Sequence, residues 1–247
     1  MKISHKPKII ATSVVGALHS FHKQHCQDYN CYAIGKNLVA VVSDGAGSVK
    51  FGKTGARTIC KTVCDILKNS KFEDIQKNVK YAINLSREKL IFHRKNIYKS
   101  EKGIDDFAAT LVGVIYYKNK GVFFHIGDGA AIAFKSGYHD FIISRPENGD
   151  FSCETFFYTQ KEWMNNLRFT YFDNASSIFL MSDGLTSFSF NSDFQNIEHN
   201  FIAPIDEFLK KASNKQKAMK ALKNTLNTPK AQKINPDDKT LVWIKAN

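Results

Sequence analysis

The order of apolar and polar residues in the first part of the chain predicts strands followed by two helices. Residues 8–18 and 29–42 are rich in apolar and β-branched residues, and Gly, Lys and Asn at 35–37 are typical of a hairpin turn within the second run. From 52 to 67, apolar or small residues recur every three or four positions, and the same period continues through 72–98. These two segments are therefore predicted to be consecutive amphipathic helices.

Strand patterns return in the second part of the chain. Residues 107–117 and 121–134 predict two strands joined by a turn at 118–121, and 139–144 predicts a third. Residues 144–175 have mixed polarity and no clear period. We interpret this segment as a long excursion from the sheet.

The end of the chain predicts a strand at 176–182, a short helix after it, lysine-rich helices from Pro204 to about Asn227, and a closing strand at 237–245. The elements therefore follow one another without strict alternation of strand and helix. Such an order favours an α+β fold, with antiparallel sheets covered by helices, over a doubly wound parallel sheet.

Length and composition predict one domain, 1–247, because 247 residues with 43% apolar content suffice for one core. No apolar run approaches about 18 residues and no signal-peptide pattern is present, so we expect a cytoplasmic protein without a membrane span. Five cysteines without a CxxC pair fit a reducing compartment. Cys60 and Cys64 are interpreted as core residues of the first helix rather than as half of a metal site.

The net charge of +12 raises the possibility of a polyanionic partner. Residues 68–102 contain ten Lys and Arg against four Asp and Glu, and residues 204–233 contain eight against two. Both stretches have helical periodicity, which favours solvated helix faces. Aromatic residues are scarce in the second stretch, so nucleic-acid binding is an alternative that rests on charge alone.

Carboxylates stand at the ends of several predicted strands, namely Asp28, Asp44, Asp183, Asp237 and Asp238. Such residues can converge, because neighbouring strands lie only about 4.8 Å apart. A glycine after Asp44 and after Asp183 lets the backbone turn and leaves its carbonyl accessible. Oxygen ligands of this kind suit Mg²⁺ or Mn²⁺, whereas a single Asp at a strand end is more often a turn residue or a helix N-cap than a metal ligand.

Six segments in order resemble the motifs of the metal-dependent protein phosphatases, the type-2C serine/threonine family, in its bacterial branch. They are QDYNCYAI, VVSDGAGS, DDFAATLVGV, HIGDGAA, IFLMSDGLT and NPDDKTLVWI, and the resemblance extends from about residue 14 to 245. It implies a four-layer α-β-β-α sandwich with a two-metal site at one end. Residues 144–175 fall where the family carries its flap.

The resemblance also implies roles for individual residues. Asp44 would contribute to both divalent metals, Asp28 and the carbonyl of Gly45 to one of them, and Asp183 and Asp237 to the other. A weaker third metal would lie at Asp105, with Asp106 as the neighbouring alternative. Asp128, Thr110 and Gly184 would support the site.

Three positions depart from the family pattern. Lys23 stands where the family has a phosphate-binding Arg, and it offers a point charge instead of a bidentate fork. Gln27 replaces a Glu, and Ala46 replaces a His proposed as general acid in eukaryotic members. His19, His22 and His25 lie near the first motif and are assigned no role.

The implied reaction is hydrolysis of phosphoserine and phosphothreonine in proteins by a water or hydroxide that bridges two Mn²⁺ or Mg²⁺ ions. The expected partners are phosphorylated protein substrates, with a Ser/Thr kinase or its targets, and the chain is expected to be a monomer. The alternative is an inert member of the fold that binds phosphoproteins. Lys23, Gln27 and Ala46 favour that alternative, whereas retention of the four motif aspartates opposes it, because the cluster would repel itself without a metal.

Overall fold

Ten strands form two antiparallel sheets in the computed structural model, which describes residues 7–99, 103–149 and 155–246. The strands are β1 (Lys8–Val14), β2 (Tyr29–Ile34), β3 (Leu38–Ser43), β4 (Leu111–Tyr117), β5 (Lys120–Ile126), β6 (Ala130–Phe134), β7 (Phe141–Ser144), β8 (Arg168–Asp173), β9 (Ser177–Met181) and β10 (Lys239–Lys245). The first sheet has the order β1-β10-β9-β6-β7, and the second has the order β2-β3-β4-β5-β8.

Helices cover the outer faces of both sheets. In chain order they are α1 (Ala17–Phe21), α2 (Gly52–Leu67), α3 (Ile75–Ile97), α4 (Thr186–Ser189), α5 (His199–Lys211), α6 (Lys215–Leu226) and α7 (Pro229–Ile234). Apolar residues of α2 and α3 pack on the second sheet, and those of α5 and α6 pack on the first. The predicted four-layer α-β-β-α sandwich is confirmed.

β3 shows why the strands read as continuous apolar runs. All six of its residues are buried, and successive side chains point to opposite faces. Val39 and Val41 belong to the cluster under α2 and α3, whereas Ala40 and Val42 belong to the cluster between the sheets. A strand enclosed on both faces needs apolar residues at every position, so alternation is lost.

The helix predicted at 52–67 is confirmed with the same bounds, and Cys60 and Cys64 are buried in the core, as expected. The helix predicted at 72–98 begins with a 3-10 turn, Phe72–Asp74, before α3. No helix in the described part of the chain combines the length and apolarity needed to cross a bilayer.

The single strand predicted at 121–134 is wrong. It is two strands, β5 and β6, which belong to different sheets. The chain crosses between the sheets at Gly127, whose φ of +109° is rarely adopted by other residues. The pattern of apolar and polar residues does not reveal this break, because both strands are almost entirely apolar and buried.

The excursion predicted at 144–175 is only partly right. Its last portion is β8, which pairs with β5 at the edge of the second sheet. Residues 150–154 lie outside the described part of the chain. The first predicted strand, 8–18, ends at Val14, and the strand predicted from 107 begins only at Leu111.

Candidate metal centre

Aspartates from both sheets meet at one end of the sandwich. Asp28 directly precedes β2 and Asp44 directly follows β3, so both come from the second sheet. Asp183 lies two residues after the end of β9 and Asp237 two residues before the start of β10, so both adjoin the first sheet. The charges of Asp28, Asp183 and Asp237 all act on Asp44, so these three carboxyls lie near that of Asp44, and the four residues are called the aspartate cluster below.

Ser182 joins the two sheets at this cluster. Its hydroxyl donates to Oδ2 of Asp28 over 2.7 Å and accepts from the backbone N–H of Thr240 over 3.0 Å. A hydroxyl can donate and accept at the same time, so a single side chain fixes Asp28 relative to β9 and β10. Ser182 was not identified from the sequence, because its partners are distant along the chain.

Thr110, for which the resemblance implies a supporting role, forms two hydrogen bonds with the backbone of Asp44. The Thr110 hydroxyl accepts from the backbone N–H of Asp44 over 2.9 Å, and the Thr110 N–H donates to the Asp44 carbonyl over 2.8 Å. Ser43 donates to the carbonyl of Thr110 over 2.5 Å. The end of β3 is therefore held at a fixed position next to β4.

Gly45 and Gly184 are required by close packing of the backbone. A Cβ atom on Gly45 would lie 2.3 Å from the carbonyl carbon of Gly52, the first residue of α2. A Cβ atom on Gly184 would lie 1.9 Å from the carbonyl oxygen of Asp238. The sequence-based reason for these glycines, a sharp turn, is thus replaced by contact between segments.

Burial and mutual repulsion raise the pKa values of the clustered carboxyls. Burial raises the pKa of Asp28 to about 6, against hydrogen bonds from Ser182 and Thr240 that lower it. Burial and the charges of neighbouring aspartates raise the pKa of Asp44 and of Asp183 well above the usual range. The ionised cluster is therefore unfavourable unless cations join it.

Two oxygens of the cluster are available for a cation. Oδ1 of Asp28 and Oδ1 of Asp183 are buried and have no hydrogen-bond partner among the described residues. A buried carboxylate oxygen without a partner is costly, and a hard divalent cation satisfies it. The oxygen-only donor set therefore fits Mg²⁺ or Mn²⁺.

Both carboxylate oxygens of Asp238 already accept hydrogen bonds from other parts of the protein. Its Oδ1 accepts from the N–H of Gly16 over 2.7 Å, its Oδ2 accepts from the N–H of Gln27 over 2.5 Å, and His19 Nδ1 lies 2.9 Å from Oδ2. Asp237 is only half-buried and lies next to it. His19, Asp237 and Asp238 place ligand atoms within 4.8 Å of one another, an arrangement that sequence analysis missed.

Lys239 is a buried cation beside the cluster that sequence analysis also missed. Its ammonium group donates to the carbonyls of Asn235 over 2.6 Å and of Asp237 over 2.7 Å. Burial lowers the pKa of Lys239, and the nearby aspartates oppose that shift. Lys239 is the first residue of β10, and the sequence signal that points to it is a lysine directly between Asp237-Asp238 and a buried strand.

The remaining predicted site residues differ in how they are placed. The Asp106 carboxylate is bonded to Arg94 over 2.7 Å, whereas Asp105 is exposed. This arrangement favours Asp105 over Asp106 as a third-metal ligand. Lys23 is exposed with a φ of +54°, and no hydrogen bond or ion pair connects its ammonium group to another described residue.

The described part of the predicted flap is anchored to the site and to α2. Thr155 donates to Oδ2 of Asp128 over 2.7 Å. Tyr158 is fully buried, and its hydroxyl donates to the carbonyl of Gly55 over 2.9 Å. The segment therefore packs against the protein next to Asp128 and Gly55.

Comparisons with known proteins agree with this architecture. The model of the family Protein phosphatase 2C matches residues 15–227. Serine/threonine-protein phosphatase 3 of Escherichia coli (strain K12) is 26% identical over 248 residues, which cover 95% of this chain and 96% of that protein.

Solved structures share the fold across nearly the whole chain. PppA of Pseudomonas aeruginosa, a key regulatory component of T6SS, has a TM-score of 0.68 and 16% identity, with 98% of this chain and 99% of that chain covered. The catalytic domain of the serine threonine protein phosphatase PstP, in complex with two manganese ions, has a TM-score of 0.64 and 15% identity, with 97% of each chain covered.

Proposed function

Because the chain belongs to the protein phosphatase 2C family, we propose that it hydrolyses phosphoserine and phosphothreonine in proteins and uses two divalent cations to do so. The observation that carries the proposal is the cluster of four aspartates, in which burial and repulsion raise the pKa of Asp28, Asp44 and Asp183. A cluster of this kind is stable in its ionised form only with cations present.

The residues that would hold the cations are those named by the family motifs. Asp44 would serve both ions, Asp28 and the Gly45 carbonyl one, and Asp183 and Asp237 the other. Divalent cations supply acidity to water and offset negative charge on phosphoryl oxygens. Asp105 is the residue proposed for a weaker third ion, and the two manganese ions of PstP make Mn²⁺ the first cation to assay.

The chain's own residues would orient these ligands and the substrate. Thr110 fixes the backbone of Asp44, and Ser182 fixes the carboxylate of Asp28, through the hydrogen bonds described above. Lys23 would contact the substrate phosphate as a mobile point charge. Because Lys23 lacks the fork of an Arg, phosphate binding is expected to be weak and salt-dependent.

The proposal also covers the source of the substrates, the cellular compartment and the oligomeric state. Phosphoserine and phosphothreonine are made by protein kinases, so the substrates would be the products of such an enzyme. The described cysteines are free thiols, which supports a reducing cytoplasm. We propose that residues 1–247 act as a single-domain monomer.

Turnover of a phosphothreonine peptide with Mn²⁺ tests the proposal. Hydrolysis should require Mn²⁺ and stop on addition of a chelator. Asp44→Asn and Asp183→Asn should each lower kcat/KM by more than about a hundredfold, beyond the loss typical of residues that only support a metal ligand.

Asp140→Asn is the matched control, because Asp140 is exposed in a turn away from the cluster. It should leave kcat/KM unchanged. A folded wild-type protein without metal-dependent turnover on any of several phosphopeptides would overturn the enzyme proposal in favour of an inert phosphoprotein-binding fold.

A further inference from the structure

A polar groove of about 400 Å³ lies on the surface between α2 and α3. It is lined by Arg57, Lys61 and Lys89, by three threonines of α2, and by His93. The threonines stand at 54, 58 and 62, and Thr62 accepts a hydrogen bond of 3.0 Å from the ammonium group of Lys89. The groove therefore has cations from both helices and hydroxyl groups along one side.

The positive charge of the groove is not neutralised by neighbouring carboxylates. Among the residues described by the structure, no Asp or Glu forms an ion pair with Arg57, Lys61 or Lys89. Asp65, one helical turn after Lys61, pairs with Lys68 over 2.9 Å. Glu88 is the neighbour of Lys89 on α3. Because adjacent residues of a helix point about 100° apart, the Glu88 side chain points in a different direction from that of Lys89.

Helix α2, which forms one side of the groove, begins next to the aspartate cluster. Gly52, the first residue of α2, packs directly on Gly45, and the N–H of Lys53 donates to the side chain of Gln27 over 3.0 Å. A helix rises about 1.5 Å per residue, so Arg57 lies about 8 Å and Lys61 about 14 Å along α2 from that contact. An extended peptide spans about 3.3–3.6 Å per residue. Side chains roughly two to four residues from the reacting residue would therefore reach the groove.

We propose that the groove between α2 and α3 binds acidic side chains that flank the phosphorylated residue of a protein substrate. The inference rests on the proposed function, because the aspartate cluster sets the position of the reacting phosphate. Arg57 and Lys61 lie one helical turn apart on α2 and present two positive charges in a row. They would select phosphoproteins with Asp or Glu near the phosphorylated position.

The lining of the groove favours an acidic peptide over nucleic acid. Binding of single strands uses exposed aromatic side chains on which bases stack. Among the residues that the structure describes, no Phe, Tyr or Trp lines this groove. Carboxylates instead find guanidinium, ammonium and hydroxyl donors within a small volume.

The kinetic test compares two phosphothreonine peptides that differ only in their flanks. One carries Asp or Glu two to four residues from the phosphothreonine, and the other carries Gln or Asn there, with each side of the phosphothreonine tested separately. At low salt the acidic peptide should have a roughly three- to tenfold higher kcat/KM, through a lower KM, as expected for two or three exposed ion pairs. Equal values for both peptides would overturn the inference.

Charge reversal then identifies the residues. Arg57→Glu with Lys61→Glu should abolish the ratio of acidic to neutral kcat/KM, and Arg57→Gln with Lys61→Gln should reduce it. The ratio is taken within each variant, so a general loss of activity cancels. Lys217→Glu with Lys220→Glu makes the same charge change on exposed residues of α6 and should keep the ratio. Retention of the preference in the Arg57 and Lys61 variants would overturn the inference.

A binding measurement separates this inference from the proposed function. Fluorescence anisotropy of the labelled, unphosphorylated acidic peptide should show weaker binding to the Arg57→Glu, Lys61→Glu variant, whether or not the protein turns over. Loss of all turnover with this binding intact would overturn the proposed function alone, and absence of the binding would overturn the groove. Tighter binding of a labelled single-stranded oligonucleotide, lost in the same variant, would replace the peptide with nucleic acid.

Discussion

The carboxyl of Asp44 interacts with the charges of aspartates that adjoin both sheets. This carboxyl is surrounded by the charges of Asp28, Asp183, Asp237 and Asp128, and burial with these charges raises its pKa well above the usual range. Asp28 and Asp183 have raised pKa values for the same reasons. In the absence of cations, the ionised Asp44 therefore destabilises the folded protein.

Asp44→Asn should stabilise the metal-free protein at neutral pH. Below a pH of about 3.9, Asp44 is protonated in both folded and unfolded chains, and the two proteins should unfold with similar free energies. As the pH rises, the unfolded chain releases this proton before the folded one does, so the wild type loses stability relative to the variant. At pH 7 in chelator, urea unfolding should show the variant to be the more stable of the two proteins.

Saturating Mn²⁺ supplies the control for this comparison. The cation should reverse the order, because it binds the folded wild type more tightly than the variant. A wild type that is as stable as the variant in chelator at pH 7 would show that the buried carboxylates do not repel one another in the folded protein.

The sequence identifies the aspartates of the candidate site more readily than it identifies the residues that position them by hydrogen bonds. Asp44 and Asp183 stand out because each follows a strand and precedes a glycine. Ser182 does not stand out, and the sequence marks Asp238 only as a carboxylate at a strand end, because their hydrogen bonds reach partners 154 and 222 positions away. No local pattern records such contacts.

At the level of elements, the start of α2 is what shapes the loop after β3. The backbone of Gly45 lies against that of Gly52, and the N–H of Ala46 donates to the carbonyl of Ala108 over 2.9 Å. The loop is therefore enclosed between α2 and the turn that precedes β4. This packing fixes the direction in which the carbonyl groups of the loop point.

Gly45→Ala should damage the site through this packing. The added Cβ would lie 2.3 Å from a backbone carbon, so the loop or α2 must shift. We expect a loss of about 1–3 kcal/mol in unfolding free energy, as for overpacked interiors, together with weaker Mn²⁺ binding by calorimetry. Gly137→Ala is the control: its Cβ would meet nothing within 4 Å, and its φ of +74° makes the substitution costly for stability alone, so Mn²⁺ affinity should be unchanged. Unchanged Mn²⁺ affinity in Gly45→Ala would contradict the role of the loop in binding the cation.

The bounds of helices and strands can be predicted where one face of the element is polar, and they are harder to predict where both faces are buried. The amphipathic α2 is predicted with its observed bounds. β5 and β6 are predicted as one strand, because the change of sheet at Gly127 occurs between two buried apolar runs. β8 is missed because it is an edge strand with half-exposed residues and irregular polarity.

At the scale of the whole molecule, the sandwich brings together carboxylates from the two sheets. Asp28 and Asp44 belong to the second sheet, and Asp183 and Asp237 to the first. The fold class follows from the order of elements, and the proposed metal site follows from the family motifs. The groove between α2 and α3 does not follow from either, because it depends on how two helices pack side by side.

The position of bound manganese tests the proposed two-cation site most directly. Crystals grown with MnCl₂ and measured at the manganese absorption edge should show two strong anomalous peaks among Asp28, Asp44, Asp183 and Asp237. The peak shared by Asp44 and Asp183 should be lost in Asp183→Asn. Absence of peaks at this cluster, or peaks confined to His19 and Asp238, would contradict the two-cation site.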